Sequence, residues 1–192
     1  MSSEQEKLEK EMIATQPPDV CYIRIPKTAS TSIDNALGKK GIPYKRWQEW
    51  NTLLPDYGKR FRFASVRHPY TRFQSAFRSC ELSDTYKDVN DMLDQIEIES
   101  LFGGHQYSYM FTLQYPYIFD ISEYRRVDFL IRYEEVDEGW RTLAGVTGRS
   151  TQYRYLRKSN VSKALMVELS QTSKDKIYEY YKDDFRLLGY KR

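Results

Sequence analysis

The sequence has few cysteines and histidines and no long apolar run. It contains only two residues of each type among 192, which gives neither a disulfide framework nor a Cys/His cluster for a metal ion. No segment approaches the roughly 20 consecutive apolar residues that a membrane-spanning helix needs. Residues 1–12 are polar and charged, unlike a secretory signal. These absences predict a cytoplasmic protein that needs no metal and has no membrane partner.

The net charge is also small. A value of +3 argues against a general nucleic-acid-binding protein, so we expect no nucleic-acid partner. The charge is uneven, however, because residues 58–78 and 149–163 contain several basic residues and no acid. Two such stretches can meet over one anionic ligand, although each can also be a solvated surface.

Apolar segments with strand character alternate with segments of helical spacing from residue 20 onward. The predicted strands are residues 20–25, 44–50, 61–66 and 127–132. The predicted helices begin near residues 30, 70, 89, 134, 161 and 173. This alternation predicts an α/β fold, a three-layer sandwich with a mostly parallel central sheet flanked by helices, similar to P-loop nucleotide-binding folds. We expect an N-terminal helix or arm at 1–18 and a single domain at 19–192.

The sequence IRIPKTASTSIDNAL, residues 23–37, connects the first predicted strand to the first predicted helix. A turn at this place directs backbone N–H groups and the positive end of the helix dipole at one point, which suits a phosphate or sulfate. Lys27 adds a positive charge there. Hydroxyl donors follow it at Thr28, Ser30, Thr31 and Ser32. No glycine precedes Lys27 in this stretch, so it is not the GxxxxGK[ST] nucleotide loop. The plainer alternative is an ordinary helix cap.

A second candidate anion site lies in residues 63–77, FASVRHPYTRFQSAF. Arg67 follows a predicted strand directly, and Ser75 stands eight residues later in a predicted helix. Both can face one anion if the turn folds back, because arginine offers a planar fork that matches phosphate and serine adds a compact donor. The alternative is an ordinary helix start with a surface arginine.

The two motifs together resemble those of the sulfotransferases that use 3′-phosphoadenosine 5′-phosphosulfate (PAPS). The segment PKTASTS at 26–32 is similar to their 5′-phosphosulfate loop, PKTGTTS or PKTGGTS, with Ala29 where glycine is usual. The pattern R-x-P-x-x-R-x-x-S, which begins at Arg67, is similar to their 3′-phosphate site. Segments 104–110, 128–134 and 181–190 also resemble family segments, the last one from the carbohydrate-type branch. The resemblance therefore covers about residues 20–190.

This resemblance implies an enzyme that moves a sulfuryl group from PAPS to an acceptor hydroxyl or amine and releases adenosine 3′,5′-bisphosphate (PAP). It implies that Lys27 contacts the bridging and leaving oxygens, and that Arg67 and Ser75 hold the 3′-phosphate. The residues implied at the 5′-phosphosulfate are Lys27, Thr28, Ala29, Ser30, Thr31 and Ser32. A basic loop with Arg157 and Lys158 is expected to close over the donor.

The acceptor hydroxyl needs a general base, and two residues are candidates. Glu49 is one, because relatives place a carboxylate at the end of the second strand. His105 is the other, because an imidazole has a suitable intrinsic pKa.

Two other functions are compatible with parts of the sequence. One is a nucleotide kinase or NTPase that uses Lys27 on a nucleoside triphosphate, and the other is a non-catalytic polyanion- or RNA-binding domain. Within the sulfotransferase interpretation, the acceptor can be a carbohydrate, a tyrosine or other phenol, or a small molecule. The 17 tyrosines supply flat amphipathic surface that suits sugars or rings.

Overall fold

The computed structural model describes residues 3–102, 106–149 and 166–192. The chain divides into two compact units. The first unit consists of Met1–Val66 with Pro116–Ser159, and the second consists of Arg67–Tyr115 with Asn160–Arg192. The single domain expected over 19–192 stays a prediction, and each unit is described separately below.

The first unit contains a parallel β-sheet of three strands in the order β1-β2-β3. The strands are β1 (Val20–Ile23), β2 (Phe61–Val66) and β3 (Phe129–Arg132). All residues of β1 are buried, and strands of parallel sheets are typically apolar throughout for this reason. Helices flank the sheet: α3 (Trp47–Leu53) contacts β1, and α8 (Val136–Thr147) contacts β3. The predicted α/β class with a parallel sheet is therefore confirmed.

The N-terminal segment protects the free edge of this sheet. Helix α1 (Ser3–Ala14) is followed by Gln16, whose side-chain amide makes two hydrogen bonds to the backbone of Tyr22 in β1. The Tyr22 N–H donates to Oε1 and Nε2 donates to the Tyr22 carbonyl, both at 2.9 Å. The side chain thus satisfies backbone groups that an edge strand would otherwise expose.

The strand predicted at 44–50 is wrong, because these residues lead into α3 (Trp47–Leu53). The Glu49 carboxylate accepts the N–H of Arg46, the N-cap residue of this helix, at 2.8 Å. Trp50 and Leu54, four residues apart, are both buried, which is the spacing of a helix face. The capping interaction and this spacing together outweigh the strand preference of the aromatic residues.

Helices α2 and α8 also belong to the first unit. Helix α2 (Ser30–Ala36) follows the Lys27 loop, which we define as residues 26–32. Helix α8 lies close to β3 because Gly139 has no side chain: a Cβ there would stand 3.0 Å from Ile131 Cγ2. Helix α8 ends at Gly148, whose φ of 66° is the left-handed conformation that terminates many helices.

The second unit is built from helices. Its helices are α4 (Pro69–Phe77), α5 (Leu82–Thr85), α6 (Val89–Gln95) and α9 (Gln171–Leu188). A further short helix, α7 (Tyr115–Ile118), begins at the last residue of the segment Arg67–Tyr115. The described part of this unit also contains the 3₁₀ turns Ile98–Phe102 and Ser108–Met110, and the first unit contains the 3₁₀ turns Tyr57–Lys59 and Tyr133–Glu135.

Helices α4, α6 and α9 contribute to one aromatic-rich core. The rings of Phe73 and Phe111 are 5.1 Å apart at a steep angle, and Phe73 also meets Tyr181 of α9. Such edge-to-face pairs are favourable beyond the area they bury. The helix predicted from residue 161 to 169 is wrong at its end, because 166–169 lie in neither helix nor strand, and 161–165 fall outside the described residues. Within the described ranges, no helix combines the length and the apolar content needed to cross a bilayer.

Candidate functional site

The Lys27 loop has an unusual backbone. Both Lys27 and Ala29 lie in the left-handed region, with φ of 67° and 68°. This conformation costs about 1–2 kcal/mol for a residue that has a Cβ, so surrounding contacts must hold it. The usual family glycine at position 29 would adopt this φ without strain. Ala29 is also the N-cap of α2, so the strained residue stands where the loop becomes a helix.

Thr28, between these two residues, is held from below by a chain of buried hydroxyls. Its Oγ1 donates to the Ile25 carbonyl at 2.9 Å and is 2.8 Å from Ser65 Oγ, which in turn is 2.7 Å from the Tyr22 hydroxyl. A hydroxyl has only one hydrogen. Thr28 gives its hydrogen to Ile25, so Ser65 must donate to Thr28 and Tyr22 must donate to Ser65.

This direction bears on the role expected of Thr28. Its hydroxyl hydrogen is directed to the Ile25 carbonyl, and the contact predicted between Thr28 and the ligand stays a prediction. Burial raises the pKa of the Tyr22 hydroxyl, which keeps it protonated and able to donate. The backbone of Thr28 and the other loop residues are the parts that can face a ligand.

The rest of the loop differs in exposure. Ser30 is buried, Thr31 is exposed, and Lys27, Ala29 and Ser32 are half-buried. The Ser32 N–H already donates to the Ala29 carbonyl at 3.0 Å, as the first turn of α2 forms. Lys27 and Thr31 therefore offer side chains at the surface of the loop.

A buried ion pair fixes the helix that follows the loop. Asp34 of α2 is 2% exposed and its Oδ2 lies 3.2 Å from Nε of Arg24. The Arg24 guanidinium also donates to the Ile42 carbonyl at 2.8 Å and lies 4.3 Å from the ring centroid of Tyr44. Burial raises the pKa of Asp34 to about 6, against the opposing effect of Arg24. The sequence analysis missed this pair.

The second motif lies in the other unit, at the start of α4. Arg67 is 5% exposed, and its Nε donates to Thr71 Oγ1 at 3.1 Å. Thr71 and Ser75 are four residues apart on α4 and therefore share one face of this helix. The side chain of Arg67 thus runs along the face of α4 that also carries Ser75.

A buried glutamine clamps the backbone of Arg67. Gln114 Oε1 accepts the Arg67 N–H and Gln114 Nε2 donates to the Arg67 carbonyl, both at 2.9 Å. The N–H groups of Gln114 and Tyr115 donate in turn to the carboxylate of Asp184 in α9, at 2.8–2.9 Å. Asp184 is fully buried, and burial raises its pKa while the charge of Arg72 opposes that change.

A second glutamine lies in the segment 104–110, and its contacts differ from those of Gln114. Gln106, in the segment 104–110, is exposed and donates to Glu81 at 3.4 Å. The pattern Gln-x-x-Tyr followed by an apolar residue occurs twice, at 106–110 and at 114–118. Only in the second does the glutamine reach Arg67. The repetition itself was the signal that could have identified Gln114.

Of the two candidate general bases and the two basic-loop residues, the structure describes only Glu49. Glu49 does not end a strand but lies in α3, where it caps its own helix and pairs with Lys45 Nζ at 3.0 Å. His105, Arg157 and Lys158 lie outside the described residues. Among 3–102, 106–149 and 166–192, no group of three or more His, Cys, Asp or Glu side chains is placed to hold a metal ion.

The family model whose description is "Sulfotransferase family" matches residues 10–191, and this family covers carbohydrate-type sulfotransferases. No curated protein and no solved structure matches. The match spans nearly the whole chain and includes both the Lys27 loop and the segment from Arg67 to Ser75. It confirms the resemblance drawn from the motifs, and the chain belongs to the sulfotransferase family.

Proposed function

We propose that the protein transfers a sulfuryl group from PAPS to a hydroxyl or amine of an acceptor and releases PAP. Family membership supports sulfotransfer in general, and the Lys27 loop supports this donor. The observation that carries the proposal is the strained left-handed backbone at Lys27 and Ala29. Strain of this kind persists where surrounding structure over-determines it and is concentrated at functional sites.

The transfer itself is an in-line displacement at sulfur. The acceptor oxygen or nitrogen forms a new bond to sulfur as the bond from sulfur to the bridging phosphate oxygen breaks, and the acceptor proton passes to a general base. Negative charge grows on the leaving phosphate oxygen of PAP. Lys27 supplies a positive charge at that oxygen, and positioning with charge stabilisation provides most of the rate acceleration, as in phosphoryl transfer.

The remaining ligand contacts divide between the two motifs. Backbone N–H groups of the loop, with the hydroxyls of Thr31 and Ser32, hold the 5′-phosphosulfate. Arg67 and Ser75 hold the 3′-phosphate, which distinguishes this donor from ATP. Arg157 and Lys158 cover the donor.

The general base is either Glu49 or His105. If it is Glu49, the carboxylate must leave the Arg46 N–H and Lys45 that it contacts in this structure. Glu49→Gln and His105→Asn each remove one candidate base. The general base is the residue whose replacement abolishes the fall in rate at low pH.

A thermal-shift comparison tests the donor. We expect PAP without Mg²⁺ to raise the melting temperature, and ATP with Mg²⁺ to leave it nearly unchanged. The opposite pattern would favour a nucleotide kinase or NTPase. An affinity for polyanions that is unchanged by Lys27→Ala and falls steeply as the salt concentration rises would favour a polyanion-binding domain.

Turnover with labelled PAPS and a panel of acceptors tests the reaction. We expect a carbohydrate hydroxyl to be sulfated, because the matching family covers carbohydrate-type enzymes. Phenols, including tyrosine peptides, and small hydroxylated molecules form the comparison arms. Absence of transfer to any arm, with PAP still bound, would limit the conclusion to donor binding and contradict the proposed reaction for these acceptor classes.

A further inference from the structure

The side chain of Thr28, between the two strained residues of the Lys27 loop, anchors this loop to the sheet. Thr28 is fully buried, while its neighbours Lys27 and Ala29 both have left-handed φ values. The loop residues on either side of Thr28 are half-buried. The contacts of Thr28 are therefore well placed to decide which backbone conformation the loop adopts.

Those contacts form a relay with a fixed direction. Tyr22 donates to Ser65, Ser65 donates to Thr28, and Thr28 donates to the Ile25 carbonyl, over distances of 2.7, 2.8 and 2.9 Å. Tyr22, Ser65 and Thr28 are all fully buried, so water does not compete for these bonds. Tyr22 is itself fixed by Gln16 on its backbone and by stacking on Phe63 at 4.9 Å.

We infer that Tyr22 and Ser65 are positioning residues for the proposed sulfotransfer: through Thr28 they hold the Lys27 loop in its donor-binding conformation. Neither residue can reach the donor, because both lie fully buried in the sheet. The inference rests on the proposed function, since it assigns the relay to the loop that binds PAPS.

The relay makes a prediction that is specific to the hydroxyl of Thr28. Thr28→Ser keeps the hydroxyl that links Ser65 to Ile25, whereas Thr28→Val has nearly the same shape and lacks it. We expect Thr28→Ser to bind PAP within about threefold of the wild type and Thr28→Val to bind about tenfold more weakly. Equal affinities for the two variants would overturn the inference.

Titration calorimetry with PAP measures the affinities of the Thr28 variants, and it also tests the buried residues that contact Thr28. Ser65→Ala breaks the relay at its centre, and we expect PAP affinity to fall about tenfold. Tyr22→Phe removes only the first donor, and we expect a loss of about threefold; it also serves if Ser65→Ala does not fold. Tyr57→Phe is the matched control, because this buried tyrosine donates its hydroxyl hydrogen to the Arg126 carbonyl at 3.4 Å and not to a member of the relay. PAP binding should be unchanged in it.

A second-site change separates positioning from general stability. Ala29→Gly removes the strain at φ 68°, so a loop with glycine there depends less on its anchor. We expect Ser65→Ala to weaken PAP binding by about threefold in the Ala29→Gly background, compared with about tenfold alone. The same loss in both backgrounds would mean that Ser65 has only a structural role. Failure of the wild type to bind PAP would instead reject the proposed donor.

Discussion

The Lys27 loop and the start of α4 at Arg67 are stabilised by different kinds of contact. Both follow strands of one sheet along the sequence, and both are proposed to hold an anionic group. The loop has two strained non-glycine residues and is held by neutral hydroxyls. The Arg67 segment enters its helix at Pro69, a residue suited to the first helical position, and is held by an amide and the buried carboxylate of Asp184.

The difference suggests a division of work. A strained backbone held by short neutral bonds places Lys27 with little freedom, which suits a group that acts on charge developing during the reaction. A buried amide and carboxylate hold the backbone of Arg67, and its guanidinium donates to Thr71 Oγ1, on the helix face where we propose that a phosphate that does not react is bound. We therefore expect loss of the Lys27 charge to lower turnover and loss of the Arg67 side chain to lower donor affinity.

The sharpest test compares Lys27→Ala with Arg67→Ala. We expect Lys27→Ala to reduce kcat about a thousandfold, or about 4 kcal/mol, because it removes the charge at the leaving oxygen. We expect Arg67→Ala to act chiefly on the Kd of PAP. Lys40→Ala, at an exposed lysine, is the control. Similar effects of both variants on kcat and Kd would remove the distinction between the two motifs.

The next prediction concerns the ion pair behind the loop. The pKa of Asp34 is raised from 3.8 to about 6, so the folded protein holds its proton more tightly than the unfolded chain does. The contribution of Asp34 is therefore fully present below pH 3.8 and is lost as pH rises through about 6, by up to about 3 kcal/mol. Denaturant unfolding at pH 4 to 7 should show this slope in the wild type and not in Asp34→Asn. Parallel curves for the two proteins would contradict the raised pKa.

The carboxylate behind Arg67 provides a matched pair of neighbours. Asp184 is fully buried and accepts backbone N–H groups from Gln114 and Tyr115, whereas Asp183 is only half-buried and pairs with Arg186. Asp184→Asn replaces one acceptor oxygen by a donor, and we expect it to lower the free energy of unfolding by about 2 kcal/mol. Asp183→Asn should change it by less than about 0.5 kcal/mol. Urea unfolding measures both, and equal losses would show that the buried contacts add nothing.

A change at Gln114, which holds the Arg67 backbone, tests whether the Arg67 segment acts on donor affinity. Gln114→Met keeps a long side chain and loses both bonds to the Arg67 backbone, so we expect the Kd of PAP to rise about tenfold with kcat nearly unchanged. Gln106→Met, which alters the other copy of the same sequence pattern, should leave the Kd unchanged. A loss of kcat at constant Kd in Gln114→Met would assign this region to chemistry and overturn the division of work.

The smallest expected effect concerns backbone strain. Ala29→Gly should raise the free energy of unfolding by about 0.5 kcal/mol, because relief of the left-handed strain exceeds the added entropy of the unfolded chain. Ala36→Gly, at the end of the same helix, should lower it by about 0.5 kcal/mol. Thermal unfolding of the two variants is sufficient, since the expected changes have opposite sign. A loss of stability in both would mean that position 29 is unstrained.

Parts of the fold with a local signature were predictable from the sequence. Buried parallel strands read as short apolar runs bounded by turns, so β1, β2 and β3 were predicted close to their observed limits. The segment 44–50 misled the analysis because its aromatic residues favour a strand. The bond from the Arg46 N–H to the Glu49 side chain has no clear sequence signature, because arginine is not a preferred N-cap residue.

For the candidate site, the sequence predicts residues but not the orientation of their side chains. The motif identified Thr28, but no local pattern tells whether its hydroxyl faces a ligand or the core. The link from Gln114 to Asp184 joins residues 70 positions apart, and Asp184 follows another aspartate in an amphipathic helix, where acidic side chains are usually solvated. Such contacts depend on tertiary packing, which sequence spacing does not encode.

The bonds from Gln16 to Tyr22 also have a consequence for handling the protein. A shortened chain that begins after residue 16 would leave the outer side of β1 open to pairing with another molecule. Such a truncation should associate at high concentration even with its active site intact. Purification tags are therefore better placed before α1 than in exchange for it.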